Sequence, residues 1–172
     1  MYDIYQETWQ ELTAPGAPFE VEKITVRNSL MRAYTNAPLS LREFWLSSLA
    51  FAERDYLVYG KERMTYAEVH VQVASIANWL ADQGVKSGDR VAISMRNYPE
   101  WLMIYWACVS TGIAAVGMNA WWVEDEMEYG LEDCSPKVLF CDEERLNRFL
   151  NIKDKFANLA TVGVRLKESR AG

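Results

Sequence analysis

The sequence is poor in the residues that hold metals and staple small folds. It has one histidine, His70, and three cysteines, Cys108, Cys134 and Cys141, with no C-x-x-C spacing. An odd, scattered set of thiols argues against a disulfide framework, and a single imidazole leaves a zinc site short of ligands. The cysteines therefore read as reduced thiols in a cytoplasmic compartment, and no metal site is assigned. Basic residues are also in deficit. Eighteen Lys and Arg face 24 Asp and Glu, a net charge of −6, which argues against a nucleic-acid partner. No block of like charge forms a tail. The first ten residues, MYDIYQETWQ, lack a basic start and an apolar run, so no signal peptide is read there.

Familiar catalytic signatures are missing too. There is no Walker loop, no G-x-S-x-G elbow and no H-E-x-x-H. No G-x-G-x-x-G follows a strand; Gly112 and Gly117 are the nearest pair and are wrongly spaced. A Ser-His-Asp arrangement would depend on His70 alone, which sits mid-helix in YAEVHVQV and reads as solvent-facing. A flavodoxin-like oxidoreductase would need a phosphate loop after the first parallel strand, where this chain has Arg96-Asn97-Tyr98-Pro99-Glu100.

What remains is a globular composition, half hydrophobic and 24% charged over 172 residues, enough for one domain. Residues 1–18 read as a peripheral extended arm, stiffened by Pro15-Gly16-Ala17-Pro18. Phe19–Arg27 and Met31–Thr35 are β-rich and flank Asn28-Ser29, a hairpin turn. Leu39–Ala52 has helical spacing after the cap Ser40, with Glu43 three residues on. Tyr56–Tyr59 and Arg63–Thr65 form a second hairpin. Thr65 and Glu68 make a capping box for a helix with Val69, Val73, Ile76, Ala77 and Leu80 on one face, ended by Gly84.

Strand and helix then alternate: strand Arg90–Met95, helix Pro99–Thr111, strand Ile113–Met118, helix Val123–Asp133, strand Lys137–Cys141, helix Asp142–Leu150, strand Ala160–Leu166. Short apolar strands joined by single helices predict a doubly wound, mainly parallel α/β sheet behind an N-terminal β-hairpin region. The uncharged stretch Trp101–Val123 has the length of a membrane span. Ser110-Thr111-Gly112 interrupts it, and Gly112 suits a helix end, so it reads as a buried helix plus a buried strand rather than a transmembrane segment.

The carboxyl ends of parallel strands are where ligands gather, which singles out two turns. In the first, Asn97 is a substrate-binding candidate. It is equally fitted to cap the next helix, with Pro99 in the first turn and Glu100 complementing the dipole. In the second, Asn119 is a candidate, and Trp121 and Trp122 are suited either to an apolar substrate pocket or to packing the loop down. The acidic runs Glu124–Glu128 and Asp142–Glu144 read as first-turn carboxylates rather than a magnesium site. Cys134 and Cys141 read as buried small hydrophobes.

Four segments in order carry a resemblance: Tyr56–Glu68 (YLVYGKERMTYAE), Gly84–Glu100 (GVKSGDRVAISMRNYPE), Ser110–Asn119 (STGIAAVGMN) and Glu126–Phe140 (EMEYGLEDCSPKVLF). Over about residues 39–150 the chain resembles the N-terminal portion of the adenylate-forming family, the AMP-dependent synthetases and ligases. NAPLSLRE and MRNYPEW are most similar to its fatty-acyl and long-chain acyl-CoA synthetases. The resemblance implies an arm and hairpin at 1–38 and, at 39–172, an incomplete, truncated part of a larger N-terminal domain. It implies ATP, Mg2+ and coenzyme A as cofactors of the full-length enzyme, which turns a carboxylate, here a fatty acid, into acyl-CoA, AMP and pyrophosphate. The family's phosphate loop ending in Pro-Lys-Gly, its Tyr-Gly-x-Thr-Glu motif and its C-terminal lysine do not occur in the 172 residues. Ser110-Thr111-Gly112 does not continue into that loop. No catalytic residue is thus carried over, and the chain alone is expected to bind no cofactor and to be inactive. Similarity to long-chain relatives also implies a homodimer built through the 1–38 arm. The alternative is a non-catalytic α/β binding or regulatory module derived from the family.

Overall fold

The computed structural model describes residues 2–167. The chain divides into two units, one ending at Ser40 and one beginning at Leu41. The first opens with a helix, α1 (Tyr2–Thr13), and not an extended arm. Tyr2, Tyr5, Trp9 and Leu12 recur at helical spacing, with no glycine or proline before Pro15, and that periodicity settles the local structure. Gly16, at φ +81°, turns the chain as its PGAP context requires. Strands β1 (Val21–Val26) and β2 (Ser29–Tyr34) pair antiparallel, with Val26 opposite Ser29. The turn is therefore Arg27-Asn28, one residue earlier than Asn28-Ser29. Both residues have positive φ, the primed geometry that matches strand twist.

The second unit begins with α2 (Leu41–Ser47), which tightens into a 3-10 turn over Ser48–Phe51. A hairpin of β3 (Asp55–Tyr59) and β4 (Glu62–Thr65) leads into α3 (Tyr66–Asp82). The capping box forms as the sequence predicts. Glu68 N–H donates to Thr65 Oγ1 at 3.2 Å, and Thr65 N–H to Glu68 Oε2 at 2.8 Å. The alternating stretch follows as β5 (Arg90–Ser94), α4 (Pro99–Ser110), β6 (Ala114–Gly117), α5 (Glu124–Cys134), β7 (Val138–Asp142), α6 (Glu143–Leu150) and β8 (Ala160–Val164).

The four strands pair in parallel in the order β6-β5-β7-β8. Because successive side chains point to opposite faces, the sheet builds two cores. Val91, Ile93, Val138 and Phe140 meet Leu80 of α3 and Ile104 and Cys108 of α4. Ala92, Leu139 and Cys141 meet Met127 and Leu131 of α5 and Leu146 and Phe149 of α6. The sheet is thus doubly wound. Each fully buried aliphatic side chain contributes about 1.5–3 kcal/mol, and β7 is buried along its whole length. The uncharged stretch Trp101–Val123 resolves into α4 and β6. Among the described residues no helix is long and apolar enough to cross a membrane.

A third core joins α2, the second hairpin, α3 and α4 around Trp45. His70 and Trp106 stack on its indole at 3.9 Å and 4.9 Å between ring centroids. His70 is therefore half-buried, not solvent-facing, because α2 folds back over its side of α3. Desolvation lowers its pKa from the ordinary value. On the far side of the hairpin, Arg165 follows β8 and places one guanidinium between Glu62 and Glu100, at 2.6 Å and 2.9 Å. It also faces the rings of Tyr59 and Tyr98, 5.0 Å and 5.2 Å from their centroids. Arg165 holds the Glu62 carboxyl below the usual carboxylate range. Glu100 thus does more than complement the α4 dipole.

Two outcomes follow from these contacts. Thr65→Ala should lower stability by about 1 kcal/mol in urea denaturation, the loss of one N-cap. A histidine with a depressed folded pKa is protonated more readily when unfolded, so its contribution is complete above about pH 6.5 and declines as pH falls through that value. Thermal melts from pH 7.5 to 5 should show that decline, and His70→Gln should flatten it.

Candidate functional site

Three loops leave the carboxyl edge of the sheet, after β5, β6 and β7. One buried ion pair ties them together. Asp142 is the last residue of β7 and the N-cap of α6, where its Oδ1 accepts from Arg145 N–H at 3.1 Å. Its Oδ2 accepts from Arg96 N–H in the loop after β5 at 3.0 Å. Arg145 is 2% exposed and donates through Nη1 to Asp142 and through Nε to the Ala120 carbonyl in the loop after β6, at 2.7 Å. Arg148, one residue short of a full turn further along α6, donates to the carbonyls of Ala120 (3.1 Å) and Trp122 (2.7 Å). Glu144 pairs with both arginines. The carbonyls of the β6 loop are thus fixed from α6.

The candidate side chains separate. Asn97, Asn119 and Trp121 come together, with Arg96 and Trp101, around an open recess of about 450 Å³ at the ends of β5 and β6. Gly117 forms part of its wall; a Cβ there would stand 3.3 Å from the Trp101 ring. Asn119 Oδ1 accepts from Trp121 N–H at 2.9 Å, which bends the loop. The Trp121 ring is 68% exposed, and the Arg96 guanidinium lies over it at 4.3 Å. Trp122 does not join them. Its ring packs on α5, so close to Gly130 that a Cβ would approach it to 2.6 Å, and it belongs to the α5–α6 core. Of the pair, Trp121 lies at the recess and Trp122 packs the loop down.

Asn97 does not cap α4. The N-cap is Tyr98, with no side-chain cap bond, and Pro99 opens the helix. Without capping duty, Asn97 lines the recess and also a second, smaller cavity of about 270 Å³ walled by Leu57, Tyr59, Tyr98 and Trp101. The acidic run on α5 is largely engaged. Glu126 accepts from Val123 N–H at 3.0 Å, Glu124 from Asn151, and Glu128 pairs with Lys155. Asp142 is consumed by Arg145 and two backbone amides, a stronger role than a dipole contact. No group of three metal-ligating side chains forms among the described residues. Burial pushes the Cys108 and Cys141 thiols up to about 12, which keeps them protonated and unreactive. Cys134 is half-buried and also raised.

The sequence reading missed Arg145 and Arg148. One signal was present: Arg145 shares a helix face with Phe149 four residues on, so the apolar face of α6 carries a charge that must be paired inside.

The doubly wound parallel sheet thus carries a polar and aromatic recess at its carboxyl edge, the edge where ligands gather in open α/β sheets. The chain belongs to the AMP-binding enzyme family, the adenylate-forming synthetases and ligases, whose model matches residues 45–170. It is 27% identical over 113 residues to a medium/long-chain fatty-acid and 3-oxocholest-4-en-26-oate CoA ligase of Mycobacterium marinum, covering 66% of this chain and 20% of that protein. It is 33% identical over 76 residues to a medium-chain fatty-acid CoA ligase of Escherichia coli, covering 44% of this chain and 13% of the relative. Among solved structures, an anthranilate CoA ligase in complex with anthranoyl-AMP superposes with a TM-score of 0.71 at 26% identity, over 76% of this chain and 26% of that one. The chain spans about a fifth of the length of such relatives.

Removing Asp142 strands a buried guanidinium, so Asp142→Ala should cost about 3–5 kcal/mol by chemical denaturation. Glu144→Ala, at the exposed end of the same network, should cost no more than about 1 kcal/mol. Replacing both buried partners, Asp142→Ala with Arg145→Leu, should cost less than Asp142→Ala alone.

Proposed function

We propose that the chain forms the leading part of an ATP-dependent acid–CoA ligase, in which a carboxylate, ATP and coenzyme A give an acyl-CoA, AMP and pyrophosphate. The observation that carries this reading is the family match over residues 45–170, joined to relatives that are themselves acid–CoA ligases. The substrate is a fatty acid in this reading, from the two relatives named for fatty acids. Asn97, Asn119 and Trp121 are the residues by which this portion touches its ligand, because they converge on a recess beside the fixed β6 loop. Trp122 supports that loop from behind.

Catalysis is assigned to none of the 172 residues. The buried and bridged charges are structural: Asp142, Arg145 and Arg148 are committed to the loops, and Glu62, Glu100 and Arg165 to one another. ATP, Mg2+ and coenzyme A are handled by segments bearing the Pro-Lys-Gly loop and the Tyr-Gly-x-Thr-Glu motif, neither of which this sequence contains. The chain alone is therefore inactive.

Pyrophosphate release tests both parts of the reading. The purified 172-residue chain with ATP, coenzyme A and octanoate should release none above background. The same residues fused in frame to the later segments of a fatty-acid CoA ligase should release it when octanoate is present. Release by the chain alone would overturn its assignment as inactive. A folded fusion that stays silent with every fatty acid would overturn the ligase reading.

A further inference from the structure

The recess at the ends of β5 and β6 contains a donor set that packing does not explain. Arg42 and Arg90, with no carboxylate partner, donate instead to backbone carbonyls, whereas the Arg96 guanidinium, which among the described residues also lies within ion-pair distance of no carboxylate, rests on an aromatic ring. That side chain is exposed, yet it is not free to wander. Its backbone N–H is pinned to the buried Asp142, and its guanidinium carbon lies over the Trp121 ring, 4.3 Å from the centroid. Trp121 is itself held from behind, since its neighbours' carbonyls at 120 and 122 are gripped by Arg145 and Arg148. Beside it, Asn119 spends its Oδ1 on Trp121 N–H, which leaves the Nδ2 hydrogens as uncommitted donors. An oriented guanidinium fork and a carboxamide donor therefore line one recess of about 450 Å³.

We propose that this recess is an oxyanion subsite, in which Arg96 and Asn119 receive a phosphate or carboxylate group of a bound ligand. The inference rests on the reading of this sheet edge as ligand-facing. The chemistry is that of the guanidinium fork. Its N–H groups match two oxygens of a carboxylate or phosphate at once, and among the described residues no acidic side chain lies within ion-pair distance of them. Contact with the indole reduces the rotamer freedom a ligand would otherwise have to freeze.

Titration of the 15N-labelled chain tests this, with the Trp121 indole N–H assigned by its loss in Trp121→Phe. Sodium pyrophosphate or sodium acetate should shift that resonance saturably, and sodium chloride at equal ionic strength should not. Tighter binding of pyrophosphate assigns a phosphate group to the subsite, and tighter binding of acetate a carboxylate. Arg96→Gln should weaken either response roughly tenfold, the loss of one charge-assisted contact. Because the Arg96 side chain is exposed, its midpoint of thermal unfolding should stay unchanged. A shift that chloride reproduces, one that does not saturate, or one that Arg96→Gln leaves intact overturns the subsite. Failure here leaves the pyrophosphate-release assay untouched, so this inference and the ligase reading fall separately.

Discussion

Moving a carboxylate and a guanidinium out of water costs several kcal/mol per ion, and such a pair is tolerated only where its geometry is good and its other hydrogen bonds are made. Asp142 and Arg145 meet most of that condition. The carboxylate accepts from two backbone amides as well as the guanidinium, and the guanidinium reaches a carbonyl and a second carboxylate. One Arg145 nitrogen, Nη2, is buried without a partner, so the satisfaction is incomplete. The pair is nevertheless what makes three separate loops one surface. A core of leucines in its place would bury as well, but it would leave the loops after β5 and β6 unfixed.

The order β6-β5-β7-β8 explains why the pair sits where it does. The connection after β5 runs to β6 through α4 on one face, and the connection after β7 runs to β8 through α6 on the other. The two chains part at the carboxyl edge between these central strands and leave a gap that must be closed. Asp142 closes it by reaching back to the β5 loop. Alternation along β5 and β7 then needs only ordinary apolar residues to complete both cores.

Much of this was legible in the sequence. Single-residue periodicity, capping signals such as Thr65 with Glu68, and glycines at helix ends located every strand and helix of the sheet to within two residues. Local signals failed where the deciding contact was distant. Asn97 has the chemistry of an N-cap, yet Tyr98 takes the position because Pro99 must occupy the first helical residue. Trp121 and Trp122 are indistinguishable by type, and the carbonyl grip of Arg145 and Arg148 decides which ring faces outward. His70 looked exposed because nothing in α3 reveals that α2 returns to stack Trp45 on it. The α1 helix is masked differently: the PGAP turn after it has the composition of an arm, although aromatic spacing within Tyr2–Thr13 is helical.

Arg165 carries a consequence for the order of assembly. Its bond to Glu62 spans 103 residues and that to Glu100 spans 65, so the second hairpin and the start of α4 are clasped from the far end of the chain. Contacts of such separation form late, after the entropy of closing the intervening loop has been met by other interactions. During synthesis from the N-terminus, the hairpin emerges long before the residue that locks it. Until β8 is laid beside β7, the hairpin is held by its contacts around Trp45 and by Tyr59 against Tyr98, which makes the final strand of the sheet also a latch on an element made a hundred residues earlier.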